Sequence, residues 1–145
     1  MITLKDMASK FYTLFKNVKP TPKVRHLRIL TWGDDVVFQG SCMGTQGLYT
    51  MDIRLRKDEA GKVSYLSPVS DIFCGCPAFK YYVQDPLAKA GSAEPTGHVN
   101  MKINNPTQIP APCKHLYAYI QYIMTRGLIT QANMRSAKSA LKDVK

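Results

Sequence analysis

A chain of 145 residues, 45% hydrophobic and 21% charged, is long enough to bury one core and has the composition of a globular domain. No apolar run approaches membrane-spanning length, and Met1-Ile2-Thr3-Leu4-Lys5-Asp6 lacks the basic-then-apolar order of a secretory signal. The net charge of +10 is unevenly spread: residues 1–28 carry seven Lys/Arg against Asp6 alone, and residues 99–145 carry seven against Asp143 alone. Residues 29–98 carry six against eight acids, so basic ends flank a near-neutral centre. That layout excludes a uniformly basic nucleic-acid binder, and it attracts acidic protein surfaces and phosphates alike.

The first predicted element is an amphipathic helix over 3–18, with Leu4, Met7, Ala8, Phe11, Leu14, Phe15 and Val18 on one stripe. Thr3 is its expected N-cap, Asp6 follows in capping-box position, and Pro20 and Pro22 prevent continuation. Residues 24–30 and 36–39 flank Trp32-Gly33-Asp34-Asp35 and read as a hairpin. Residues 48–57 alternate, with Tyr49, Met51, Ile53 and Leu55 opposite Leu48, Thr50, Asp52, Arg54 and Arg56, the pattern of a half-buried antiparallel strand. A turn over 57–62, a strand over 63–66 and a short strand over 71–73 ending at Cys74 follow.

Residues 84–112 hold six prolines or glycines before Pro112 and predict a long irregular excursion, with a short strand at 98–103. Regular structure returns with a helix over 112–126, stopped by Gly127. A last helix over 131–144, capped by Thr130, shows Arg135, Lys138, Lys142 and Lys145 and buries only Ala137, Leu141 and Val144. It is expected to dock on a neighbour, being too short and polar to hold alone.

The chemistry sits in Phe73-Cys74-Gly75-Cys76-Pro77 and, far downstream, Pro112-Cys113-Lys114-His115-Leu116. Four cysteines without a secretory signal point to a reducing compartment, where metal ligation is favoured over disulfides. Three thiols and an imidazole satisfy a tetrahedral zinc ion and leave no open position, so Cys74, Cys76, Cys113 and His115 are the predicted ligands of one structural zinc. Gly75 is expected to let the backbone turn tightly between the thiols, and the helix N-terminus to favour thiolate at Cys113. Metal at both ends would close the 77–112 loop and add folding energy.

Cys42 has no partner pattern and reads as a buried free thiol, while His26 and His98 read as structural or surface histidines. Cys113 and His115 are too close on one helical turn for a nucleophile–base pair, and neither the His-x-Glu nor the Pro-Cys-x-x-Cys of zinc deaminases occurs. No phosphate-binding glycine loop is present, so no enzyme is expected.

The arrangement C-x-C…C-x-H, with a strand-borne first pair and a helix-borne second, resembles the SWIM-type zinc finger over residues 70–125, although its intervening loop is longer than is typical. The wider phrase Cys74-Gly75-Cys76-Pro77-Ala78-Phe79-Lys80-Tyr81-Tyr82, with Asn104-Asn105-Pro106 and Pro112-Cys113-Lys114-His115-Leu116, also resembles small SWIM-like proteins of tailed bacteriophages. The second resemblance implies a structural or assembly role in a virion neck, tail or baseplate, with other virion proteins as partners. The SWIM likeness also permits nucleic-acid binding, for which Lys80, Tyr81, Tyr82, Lys114, Tyr117 and Arg126 are the candidates, although Tyr117, Tyr119 and Tyr122 are expected to pack on the sheet. The expectation is thus one α+β domain over 1–145: a small antiparallel sheet, an N-terminal helix, a zinc-stapled ββα-like C-terminal half and a basic terminal helix over 128–145. Its expected location is the virion, assembled in the host cytoplasm, or else the cytoplasm itself, with no membrane partner.

Overall fold

The computed structural model describes residues 1–16, 18, 23–44, 47–95 and 105–129. The sequence expectations for a strand at 98–103, for His98 and for the basic helix at 131–144 lie outside these residues.

The chain opens with two short helices, α1 (Leu4–Ser9) and α2 (Phe11–Leu14), where one helix over 3–18 was expected. Thr3 caps α1 as the sequence implies, its hydroxyl accepting from the Asp6 amide at 3.1 Å. The break at Lys10 has a local cause. The Ser9 hydroxyl donates to the Asp6 carbonyl at 2.8 Å, and this carbonyl is the acceptor that the Lys10 amide would use in a continuous helix. Lys10 N–H turns to Met7 O instead. Leu4, Met7, Ala8 and Phe11 nevertheless all reach the core, so the apolar stripe does what its spacing implies.

Four antiparallel strands follow in the order β1-β2-β3-β4: β1 (Val24–Trp32), β2 (Asp35–Gly44), β3 (Gly47–Arg56) and β4 (Val69–Cys74). Trp32 pairs with Asp35, leaving Gly33 and Asp34 as the hairpin turn, and β2 runs five residues beyond the expected end at Gln39. In β3 the alternation holds: Met51, Ile53 and Leu55 are buried, while Asp52, Arg54 and Arg56 stand on the opposite face. The core lies on the first of these faces, between the sheet and the helices.

Residues 63–66 are not a strand. Ser64 N–H donates to Ser67 Oγ at 2.8 Å and Ser67 N–H to Ser64 O at 3.1 Å, so two serines fold this segment into a turn. The turn seats the N-terminal helix, because Leu4 and Lys5 amides donate to Ser67 and Tyr65 carbonyls. The excursion predicted from residue 84 also begins differently: a π-helical turn (Phe79–Val83) runs into α3 (Gln84–Lys89). Pro86 does not end this run: Tyr82 O, the carbonyl four residues back that the missing N–H would have met, accepts from Asn105 Nδ2 at 2.8 Å instead. The last described element is α4 (Lys114–Thr125), ended by Gly127 at φ +67°, a left-handed value that only glycine adopts freely. The molecule is α+β, a four-stranded antiparallel sheet with helices at both ends of the described chain. No helix among the described residues is long and apolar enough to cross a membrane.

Candidate metal centre

Two elements bring the predicted ligands together. Cys74 closes β4, in register with Met51 of β3. Gly75 prolongs the pairing by one bond, its N–H donating to Thr50 O at 3.1 Å, and the chain then turns at Cys76. Phe79 N–H donates to Cys76 Sγ at 3.4 Å, so the sulfur is held by the start of the π-helical turn. From the other side, Cys113 is the extended residue at the N-terminus of α4 (φ −73°, ψ 172°), and its carbonyl accepts the first helical bond from Tyr117. His115 lies in the first turn.

The four side chains are all buried, and one ligand atom from each lies within 4.8 Å of every other. A tetrahedral zinc with bonds of about 2.3 Å to sulfur separates its ligands by roughly 3.8 Å, so the cluster needs only a slight contraction to close on a metal. His115 Nδ1 is a buried nitrogen with no hydrogen-bond partner among the described residues. Burying such a group unpaired is costly, and a cation coordinated at that nitrogen would relieve the cost.

The thiols compete for one negative charge. Hydrogen bonds from Cys113 and then Cys74 hold Cys76 far below the ordinary thiol range, against the opposing effect of burial. Cys113 moves the other way, pushed well above that range by burial and by its two sulfur neighbours. A hydrogen bond from Cys113 favours the Cys74 thiolate, but the Cys76 bond and burial outweigh it and push Cys74 up to about 12. Burial disfavours the Cys113 thiolate, while its sulfur neighbours favour charge on Cys76. Three thiols this close cannot all ionise by themselves; a divalent cation among them removes the conflict. The donor set fits a metal ion.

Gly75 corrects another expectation. Its φ lies outside the left-handed region that favours glycine, and a β-carbon there would meet nothing closer than Thr50 N at 3.9 Å, an ordinary contact, so neither the turn nor the spacing of the thiols requires glycine. Two neighbours carry no signal of metal chemistry in the sequence. The ring of Tyr49 lies 5.1 Å from that of His115, and Asn105, fully buried, ties the incoming loop to the π-helical turn. Tyr49 sits on the inward parity of β3, which marks it as facing the core; Asn105 stands beside Pro106 in a loop, where asparagine is unremarkable.

Cys42 is a buried free thiol, as expected, raised by burial first and next by the charge of Cys76, and it stands outside the ligand quartet. His26 is a hydrogen-bonded structural histidine, its Nδ1 2.9 Å from Tyr119 Oη. Of the tyrosines expected on the sheet, Tyr119 is there, against Gly40, whereas Tyr117 stacks on Phe11 at 4.3 Å between ring centres. Among the basic and aromatic candidates, Lys80 lies over Tyr81 and Arg126 over Tyr122. Tyr82 instead meets Phe15.

No family model matches the chain, and no curated protein or solved structure matches it at a significant level.

Proposed function

We propose that the metal is zinc and that the protein is a non-enzymatic, zinc-stabilised docking component of a tailed-phage particle, working through protein–protein contacts in a neck, tail or baseplate. The observation that carries the structural role is the closed, buried quartet of Cys74, Cys76, Cys113 and His115. Four protein donors fill a tetrahedral ion, so the metal joins β4 to α4 and keeps no position for a substrate or water. The particle assignment draws on the resemblance of the cysteine–histidine phrases to small phage proteins, and the basic ends suit acidic neighbours. Sedimenting intact particles and searching them by mass spectrometry tests it. The chain should be recovered at fixed stoichiometry, and its confinement to infected-cell lysate would defeat the assignment.

A second reading, a nucleic-acid-binding SWIM-type finger, is favoured by the exposed Tyr81 and Tyr82 beside Lys80. It requires binding that weakens steeply with salt as phosphate contacts release counterions. Tight, sequence-selective binding at physiological salt would replace the first reading with this one.

A further inference from the structure

Among the described residues, strand β1 forms one edge of the sheet, with β2 as its only neighbour in strand order. An antiparallel partner on one side leaves every second residue aiming its N–H and C=O outward. Among the described residues, no backbone hydrogen bond joins residues 24–32 to anything but β2. A bulge between His26 and Arg28 divides the edge, leaving residues 28–32 as a regular stretch paired one to one with Gln39 through Asp35.

This edge has one sign of charge. Lys23, Arg25 and Arg28 lie on or beside it, and no acidic residue occurs between Asp6 and Asp34. Arg25 and Arg28 pair with Ser41 and Gln39, which places both guanidinium groups on the sheet face away from the core, the face that also carries Trp32. Leu27, Ile29 and Trp32 on the same strand are 53%, 44% and 66% exposed, large apolar groups with little to cover them. Cations on an edge strand discourage pairing with a like edge, because two copies would set the same charges against each other. The charges that repel a second copy attract a strand of the opposite sign.

We propose that β1 receives an extended acidic polypeptide segment as an added strand, its backbone pairing along residues 28–32 and its carboxylates meeting Lys23, Arg25 and Arg28. The inference rests on the protein–protein reading above and names the partner's chemistry. Main-chain bonds supply affinity in such strand addition, and alternate side chains supply selectivity.

The probe is a short, end-blocked synthetic peptide of alternating valine and glutamate, titrated against the full chain. It should bind, and the same peptide N-methylated at alternate residues, equal in charge but poor in donors, should bind at least about tenfold more weakly. The double variant R25E/R28E should lose about tenfold or more while keeping its metal content and melting curve, which separates binding from folding. A matching valine–lysine peptide should not bind. Equal binding of the N-methylated peptide would reduce the effect to charge alone and overturn the proposal. Failure of the parent peptide to bind would do the same, as would tighter binding of single-stranded oligothymidylate lost in the same variant. Recovery of the chain in particles with no peptide binding would sink only the edge inference. Peptide binding by a chain absent from particles would sink only the particle assignment.

Discussion

The ring of Tyr119 lies so close to Gly40 that a β-carbon on residue 40 would sit 2.8 Å from it. Through this contact, and through the His26–Tyr119 hydrogen bond, α4 is seated on the β1–β2 pair at the height that presents His115 to the cysteines. Glycine is required here for space. The added carbon would also meet Arg25 O at 3.0 Å, a backbone atom that cannot swing aside. Gly40→Ala should therefore cost about 1–3 kcal/mol as overpacking, read as a lowered denaturant midpoint at unchanged slope. Tyr119→Phe, which loses only the hydrogen bond, should cost about 1 kcal/mol. An unmoved midpoint in G40A would show that the ring can yield.

Removal of a ligand should be far more damaging than either change. The protein should hold about one zinc per chain, with sulfur-rich tetrahedral coordination by X-ray absorption. Cys76→Ser and Cys113→Ser should each lose most of that metal and melt early, since metal binding contributes directly to folding. Cys42→Ser is the control: its sulfur lies outside the quartet, and metal content should stay unchanged. A metal-free protein with the native melting curve would refute the centre.

Gly75 supplies the opposite test, a residue that looks indispensable between two ligands and is not. With only ordinary contacts around the added carbon, Gly75→Ala should retain its metal and change stability by less than about 0.5 kcal/mol. Loss of metal in G75A would mean that the backbone there needs glycine for a reason other than space.

Gly75 also marks the limit of what is legible in the sequence. Ligand identity is legible because Cys and His have few other reasons to cluster in C-x-C and C-x-H, and the strand and helix that carry them have clear periods. The parity of β3 likewise fixes which side chains face the core. What a sequence conceals is competition for backbone groups: Ser9 taking the Asp6 carbonyl splits the first helix, and Ser64 with Ser67 folds 63–66 into a turn. Apolar pattern carries no trace of either. The helical run over 79–89 is masked in the same way, because Pro86 reads as a breaker until Asn105 is seen to meet Tyr82 O, the carbonyl that proline leaves without its helical donor.

Asp71 gives a pH dependence with a definite sign. Burial pushes its carboxyl above the ordinary range, and Arg54, its register partner on β3, only partly opposes that shift. The folded state therefore holds the Asp71 proton more tightly than the unfolded chain does. Its favourable contribution is complete below the ordinary aspartate range and is lost as pH rises through the elevated folded value. Asp71→Asn should accordingly be at least as stable as the parent at neutral pH, with a gain of about a few tenths of a kcal/mol because water still reaches the group. That gain should vanish in acid. Paired denaturant curves across this range check it, and a variant less stable at neutral pH would show that the attraction of Arg54 outweighs burial.

Asn105 should matter nearly as much to the metal as a ligand does, although it touches none. Its side-chain amide donates to Tyr82 O at 2.8 Å and Ile109 O at 3.0 Å, and its carbonyl accepts from Ile109 N at 3.1 Å. One buried residue thus ties the π-helical turn after Cys76 to the loop entering Cys113. In N105A, Tyr82 O and the Ile109 amide lose their side-chain partner, while Ile109 O keeps the Ala111 N–H at 3.0 Å, at a total cost of about 2–4 kcal/mol. The loop would then hold Cys113 less firmly against β4, and a chelator should strip the metal faster from N105A than from the parent at equal temperature. N105D is the sharper variant: it keeps the acceptor for Ile109 but sets a carboxylate against two carbonyl oxygens. It should be the less stable of the two at neutral pH and should recover toward N105A in acid, as protonation restores a donor. If N105A retains metal and melts as the parent does, Asn105 merely fills space and the loop is held by the cysteines alone.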